Sequence, residues 1–538
     1  MLPLLAVVGR GQGAVIDARV WVRIPGRDIF ITRPVLGVGE DTALSARIAL
    51  YYAALLNHID PTRIDAGVEF INEQEVSGAS AGLPLFLGYY ALLSNKYINT
   101  SVLTGTGLLS PNGLVVNVGG VVEKIRAGLA NGLKQFLIPY SDYEQYRVRL
   151  ESLNATIHPV CSVESALVYT FNSPDVNASI TIPETYFKRA AFELITVLNK
   201  TIALATNTSL ASRNNLVGML REYLREAIKL AKRGYYYTSA SIAYSGLVEF
   251  IQEASINLVD NLTRLILSSI DRKKLAEEIY ILKAEVMRRK HVPLWRLEAL
   301  MSAEYRLYAA AKLLSSNDPR LKALGALRLM TVVHWLDAAK SVTGPLIDSA
   351  AFRRAVKLLV NYADLATKYI ESLIKSKKVK LRNAEMIPIS TLQLDMHTAL
   401  LQGDYIRAGA LALNILGLVT SSLAGYDLAS GTPPTILREC ALKQLQLHEA
   451  ITGLRSFNAD IMADYALHTP FNESSALIAD QASTYSLLLL VLSVSEGTLQ
   501  ATSKTSDMSL LVAIILSSLL SSMAVGAGLT LALRKEVE

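Results

Sequence analysis

The chain has 538 residues, enough for more than one domain; 51% are apolar and only 19% charged, so much of it must be buried in a core or a membrane. The net charge of +6 is modest and unclustered, and the nearest basic run, Lys375 to Arg382, reads as a solvated loop, so no nucleic-acid partner is expected. Two cysteines, Cys161 and Cys440, leave one disulfide or two buried thiols open, and no metal-ligand spacing occurs, so neither metal nor cofactor is expected.

In chain order, Leu2 to Val8 is apolar but too short for a signal-peptide core; it is either the tail of a leader or a first strand. Ala18 to Ile24 alternates, Pro25-Gly26 turns, and Asp28 to Thr32 returns, which predicts a hairpin. Thr42 to Leu56 is an alanine-rich helix, and Asp65 to Phe70 alternates towards a loop of small residues, Gly78-Ala79-Ser80-Ala81-Gly82. An apolar helix from Leu83 to Leu93 follows, with Pro84 in its first turn, where proline is tolerated. Ser80 is thereby expected at a helix N-terminus, where free amides and the dipole favour negative charge. A hydroxyl attacking a carbonyl there would meet oxyanion donors.

Leu114 to Val118 reads as a buried strand, Gly119-Gly120 as a tight turn, and Val121 to Ile125 as the start of a second helix carrying Lys124. A helix start and apolar neighbours both disfavour a charged ammonium, which suits a general base. The plain alternative is a helix-end lysine that snorkels to solvent.

These residues resemble the proteolytic domain of Lon proteases, Ser-Lys peptidases with the pattern Ser-Ala-Gly, Thr-Gly, then Gly-Gly-x-x-x-Lys. Here the elements are Ser80-Ala81-Gly82, Thr104-Gly105 and Gly119-Gly120-Val121-Val122-Glu123-Lys124. Gly128 to Lys134, Phe136 to Pro139 and Ile157 to Val160 match the family's later passages. The resemblance implies Ser80 as nucleophile, Lys124 as base and Thr104 as the residue orienting the lysine, with Ala81, Gly82, Gly119 and Gly120 in support. It further implies an α+β domain of the ribosomal protein S5 domain 2-like type, polypeptide substrates and homo-oligomers. Ser77-Gly78-Ala79 departs from the family's Asp-Gly-Pro, and Thr106 replaces a common Glu. Ser80 and Lys124 lie 44 residues apart, and the extra length falls around Ser110-Pro111-Asn112, read as a turn, where length changes are tolerated. Rival nucleophile arrangements, Ser77 or a triad using His58 with Asp60 or His158, lack a supporting motif.

The expected domain ends near 174. From 183 to 500 the pattern is helical, with joints at Gly234 and Gly403 that suggest stacked helical hairpins, though no fixed repeat emerges. Ser509 to Leu533 carries no charge and is long enough to cross a bilayer, and Arg534-Lys535 put the 534–538 tail in the cytoplasm with the bulk of the chain outside. A tail anchor with everything else cytosolic is the alternative. The runs Ala408 to Ala424 and Leu487 to Val494 read as buried helices. Seven Asn-x-Ser/Thr sequons, among them Asn99, Asn154 and Asn177, mildly favour the outside placement.

Gly-Lys occurs nowhere in these residues, so no Walker A loop is present. The combination resembles membrane-bound serine proteases of archaea that lack an ATPase domain. The expected function is a membrane-anchored, ATP-independent serine endopeptidase acting on peptides or unfolded polypeptides. The rival is a non-catalytic surface scaffold that keeps the same fold.

Overall fold

The computed structural model describes residues 1–8, 11–34, 37–71, 77–173, 176, 184–206, 213–376, 379–380 and 387–497. The apolar stretch 509–533, the 534–538 tail and the sequon asparagine at 177 lie outside them. The described chain is mixed α/β and mostly helical.

Strands β1 (Leu2–Val8), β2 (Gln12–Arg23), β3 (Phe30–Arg33) and β4 (Asp65–Phe70) form one sheet in the order β1-β2-β4-β3. The Leu2 to Val8 run is therefore a strand. The expected hairpin of 18–24 with 28–32 does not form. Instead β2 pairs antiparallel with β1, and β4 inserts between β2 and β3, antiparallel to one and parallel to the other. The cause is Asp65, whose carboxylate accepts from the Arg27 and Ile29 amides at 2.6 and 3.1 Å and from the Arg23 guanidinium. These contacts bend the Pro25-Gly26 segment around the end of β4 and hold the Asp65 carboxyl down at about 2, the Arg27 amide being the largest cause. Gly67 is needed where β4 is squeezed: a Cβ there would stand 2.4 Å from the Ile31 carbonyl and 2.7 Å from the Trp21 indole nitrogen.

Helix α1 (Glu40–Leu56) is buried nearly all round. A helix without a polar face must be covered on every side, and α1 is sandwiched between α2 (Gly82–Ser94) and the Ser349–Lys375 helix of the C-terminal region. Its Tyr51 ring stacks on Tyr362 with centroids 5.9 Å apart. The chain continues through β5 (Leu103–Gly105), the short pair β6 (Leu108–Leu109) and β7 (Val115–Val116), α3 (Val121–Ala130), β8 (Gln135–Pro139), α4 (Tyr140–Glu151), β9 (Thr156–Val160) and α5 (Val163–Phe171). Strands β5, β8 and β9 make a parallel three-stranded sheet. The expected strand over 114–118 shrinks to Val115–Val116, because Leu114 bridges to Ser162 instead and the Asn117 and Val118 amides turn to carboxylates.

From Lys188 onward the described chain is helical, broken by one small pairing of His291–Pro293 with Leu346–Asp348. Gly234 and Gly403 adopt φ of 91° and 74° at the two expected joints, between Arg213–Lys232 and Tyr236–Glu253 and between Ile389–Leu401 and Tyr405–Ala429. Positive φ is cheap only for glycine, which is why both joints carry one. Among the described residues two helices, Tyr405–Ala429 and Asn472–Gly497, are long and apolar enough to cross a membrane, but 78% and 72% of their apolar windows are buried inside the protein.

The α/β part and the helices share one continuous core, and polar contacts tie them closely. The Ser110-Pro111-Asn112 segment is a turn that lies buried. Asn112 Nδ2 donates to Asp480 Oδ1 and Ser483 Oγ, both at 2.7 Å, and Tyr362 donates to the Pro111 carbonyl at 2.6 Å. The added residues are thus a plug seated in the helical region. Nearby, Cys161 and Cys440 form a disulfide with Cα atoms 5.9 Å apart, closing a sequence separation of 279 residues. That settles the cysteines in favour of pairing.

Candidate active site

Ser80 sits in a single 3-10 turn, Ala79–Ala81, that runs directly into α2. The turn is gripped by the first turns of α1. Asp41 Oδ1 accepts from the Gly78 amide at 3.0 Å, Thr42 Oγ1 donates to the Gly78 carbonyl at 3.1 Å, and Ser45 Oγ donates to the Ala79 carbonyl at 3.0 Å. Gly78 has φ of 114°, a conformation that side chains resist. The Ser80 carbonyl accepts from the Gly107 amide at 2.9 Å and from Thr106 Oγ1 at 3.3 Å, which fixes the serine's backbone against the β5–β6 connection.

Lys124 occupies the first turn of α3, its amide bonded to the Gly120 carbonyl at 3.0 Å. It is 3% exposed, so it does not snorkel. Its Nζ donates to Thr106 Oγ1 at 3.1 Å. The expectation for Thr104 is corrected here: its hydroxyl donates to the Pro3 carbonyl. On an extended stretch Thr104 and Thr106 share a face, but only Thr106 lies past the end of β5, where the chain crosses towards α3.

Ser80 and Lys124 line the same cavity of about 520 Å³, together with Ala81 and the Gly119-Gly120 turn. Gly82 is not part of its lining; a Cβ at that position would instead press on the Leu109 amide and Ser45 Oγ, each at 2.9 Å. Gly120 has φ of 68°, and its Cβ would fall 2.5 Å from Val7 Cγ2, so backbone and space both require glycine there. Leu4 to Val7 of β1 form one wall and Phe70 another. The rivals fare differently: Ser77 lines the cavity, but His58 bonds Ser493 Oγ at 3.0 Å and His158 packs on Tyr169 with centroids 4.7 Å apart, both outside the cavity lining. Among the described residues no group of three or more His, Cys, Asp or Glu could hold a metal ion.

Three residues that no motif pointed to complete the surroundings. Asp142 is buried and accepts from the Val118 amide at 2.9 Å. Burial pushes its carboxyl up to about 7; the nearby Asp427 raises it further, while the Val118 amide and the Lys124 charge pull it down. Asp427, at the end of the Tyr405–Ala429 helix, accepts from the Asn117 amide at 3.1 Å and from Ser141 Oγ at 2.9 Å. Its neighbour Tyr426 lines the cavity. No periodicity could have found Tyr426 or Asp427, because both lie some 300 residues from Lys124. The sequon residues Asn99 and Asn154 are exposed.

Comparison with known proteins agrees with the motif. No protein-family profile matches the chain. Curated relatives do: the chain is 30% identical to Lon protease 2 of Bacillus subtilis over 93 residues, 17% of each chain. It is 27% identical to the archaeal Lon protease of Thermoplasma volcanium over 147 residues, 26% of this chain and 22% of that one. It is 29% identical to the archaeal Lon protease of Archaeoglobus fulgidus over 139 residues, 25% of this chain and 22% of that one. The chain thus spans about a fifth of the length of the relatives it matches, and over that stretch it is similar to Lon proteases.

Proposed function

We propose that the protein is a membrane-anchored serine endopeptidase that cleaves peptides or unfolded polypeptides without an ATPase of its own. The observation that carries this reading is the shared cavity. A serine ahead of one helix and a buried lysine in the first turn of another, 44 residues apart, open onto the same space. The similarity to Lon proteases supports the reaction class.

In the proposed mechanism, neutral Lys124 Nζ removes the proton from Ser80 Oγ as that oxygen bonds to the scissile carbonyl carbon. Amides of the Ser80–Ala81 turn receive the developing oxyanion. The C–N bond then breaks, with Lys124 returning its proton to the departing amine and an acyl-Ser80 left behind. Water, deprotonated by Lys124, releases the acyl group. Thr106 holds the lysine in line through the 3.1 Å contact.

Anchoring rests on the uncharged stretch 509–533, and the extracytoplasmic side is favoured by the disulfide, since disulfides persist mainly in oxidising compartments. The proposed organisation is a proteolytic domain to 174, a helical domain over 183–500 and a single anchor. The test is labelling of the full chain in membranes by a fluorophosphonate, with casein cleavage in parallel. Ser80→Ala should abolish labelling, and Lys124→Ala should lower turnover by at least about a thousandfold. Undiminished cleavage in either variant would sink the dyad, and no labelling of the unmodified chain would favour the scaffold.

A further inference from the structure

The helical region reaches the cavity through Tyr426, beside Asn117 of the lining. The Asn117 amide is taken by Asp427 at 3.1 Å and the next amide, Val118, by Asp142 at 2.9 Å. Neither backbone donor remains for a ligand. The Asn117 side chain meets the Tyr426 hydroxyl, and its Oδ1 is buried without a hydrogen-bond partner among the described residues although Asn117 lines the cavity. Asp427 is itself held by Thr432 Oγ1 at 2.6 Å and Ser141 Oγ at 2.9 Å, which orients the carboxylate that binds the Asn117 amide. A buried amide oxygen left unpaired is costly, and that cost is removed when a ligand donates to it. An extended polypeptide offers a main-chain N–H at every residue, the donor such a group fits.

We propose that Asn117 is a substrate-binding residue that hydrogen-bonds the main chain of a polypeptide in the cavity, with Tyr426 and Asp427 of the helical region as its positioning residues. This rests on reading the cavity as a peptidase site. It makes the helical region part of substrate binding, and it gives the site a polar anchor that does not depend on substrate side chains.

Two measurements on the full-length protein test this. First, Asn117→Ala should raise KM for an unstructured peptide about tenfold with kcat within about threefold, as expected for one lost hydrogen bond to substrate. Labelling of Ser80 by a small fluorophosphonate, which carries no peptide main chain, should persist. Tyr426→Phe should move KM in the same direction by less. An unchanged KM would overturn the proposal, and so would kcat, KM and labelling all failing together, which would signal collapse of the wall. Second, in a Ser80→Ala background, binding of a fluorescent, permanently unfolded polypeptide should weaken about tenfold on adding Asn117→Ala. Equal binding with and without Asn117, or no binding by either protein, overturns the proposal whether or not the dyad is catalytic. A failure of the dyad alone appears separately, as an unmodified chain that binds polypeptide and takes no label.

Discussion

Lys124 Nζ donates to Thr106 Oγ1 over 3.1 Å, and the same hydroxyl reaches the Ser80 carbonyl at 3.3 Å. One threonine therefore touches both halves of the proposed dyad. Thr106→Val keeps the shape and removes both contacts, and kcat/KM should fall about tenfold, the value of one such bond. Thr104→Val should leave kcat/KM within about twofold and lower the melting temperature, because that hydroxyl serves the Pro3 carbonyl. Peptide kinetics and thermal unfolding on the two variants distinguish the roles.

Gly120 and Gly119 are adjacent but make different demands. Gly120→Ala meets a left-handed φ of 68° and a 2.5 Å approach to Val7 Cγ2, whereas a Cβ at Gly119 meets nothing within 4 Å. Gly120→Ala should destabilise the protein by about 1–3 kcal/mol and Gly119→Ala by less than about 0.5 kcal/mol, read from denaturant unfolding.

Stability should decline as pH rises from mildly acid to alkaline. Burial raises Asp142 to about 7, against the opposing Val118 amide and Lys124 charge. Glu298 lies within hydrogen-bond reach of Ser456 Oγ and the Phe457 amide, yet burial raises it to about 8. In both groups the folded carboxyl holds a proton that the unfolded one has lost above pH 4 to 5. Their contribution is full at acid pH and disappears as pH passes through 7 to 8. Melting temperatures measured from pH 5 to 9 should fall, and Glu298→Gln should flatten that slope. A flat profile in the unmodified protein would contradict both assignments.

The seam between the α/β part and the helices should be a major source of stability. Asn112→Ala removes two donors from Asp480 and Ser483 and should cost about 1–3 kcal/mol. Opening the Cys161–Cys440 bridge with Cys161→Ser and Cys440→Ser should cost about 2–5 kcal/mol. Reductant should lower the melting temperature of the unmodified protein and leave the double serine variant unaffected.

The Ser80 loop, the α2 start, the Gly119-Gly120 turn and the position of Lys124 in the first turn of α3 were legible in the chain, because each depends on neighbours within a few residues. So were the glycine joints at 234 and 403, which need only a local positive φ. Strand order was not, because the alternation of 18–24 and 28–32 is the same whether the two strands pair or flank a third. Asp65, read only as the start of a strand, decides between those arrangements through contacts 36 to 42 residues away.

By itself, the sequence determined where a nucleophile and a base could stand, since helix starts, small-residue turns and buried runs are written in adjacent residues. Only the tertiary structure decided that both face one cavity, that Thr106 rather than Thr104 serves the lysine, and that Cys161 meets Cys440. It also decided that Asn112 is a buried plug and that Asp427 grips Asn117. The physical reason is distance along the chain. Each of these outcomes, Thr106 included, requires segments 18 to 368 residues apart to share a hydrogen bond, a disulfide or a wall, and no local spacing records such a meeting.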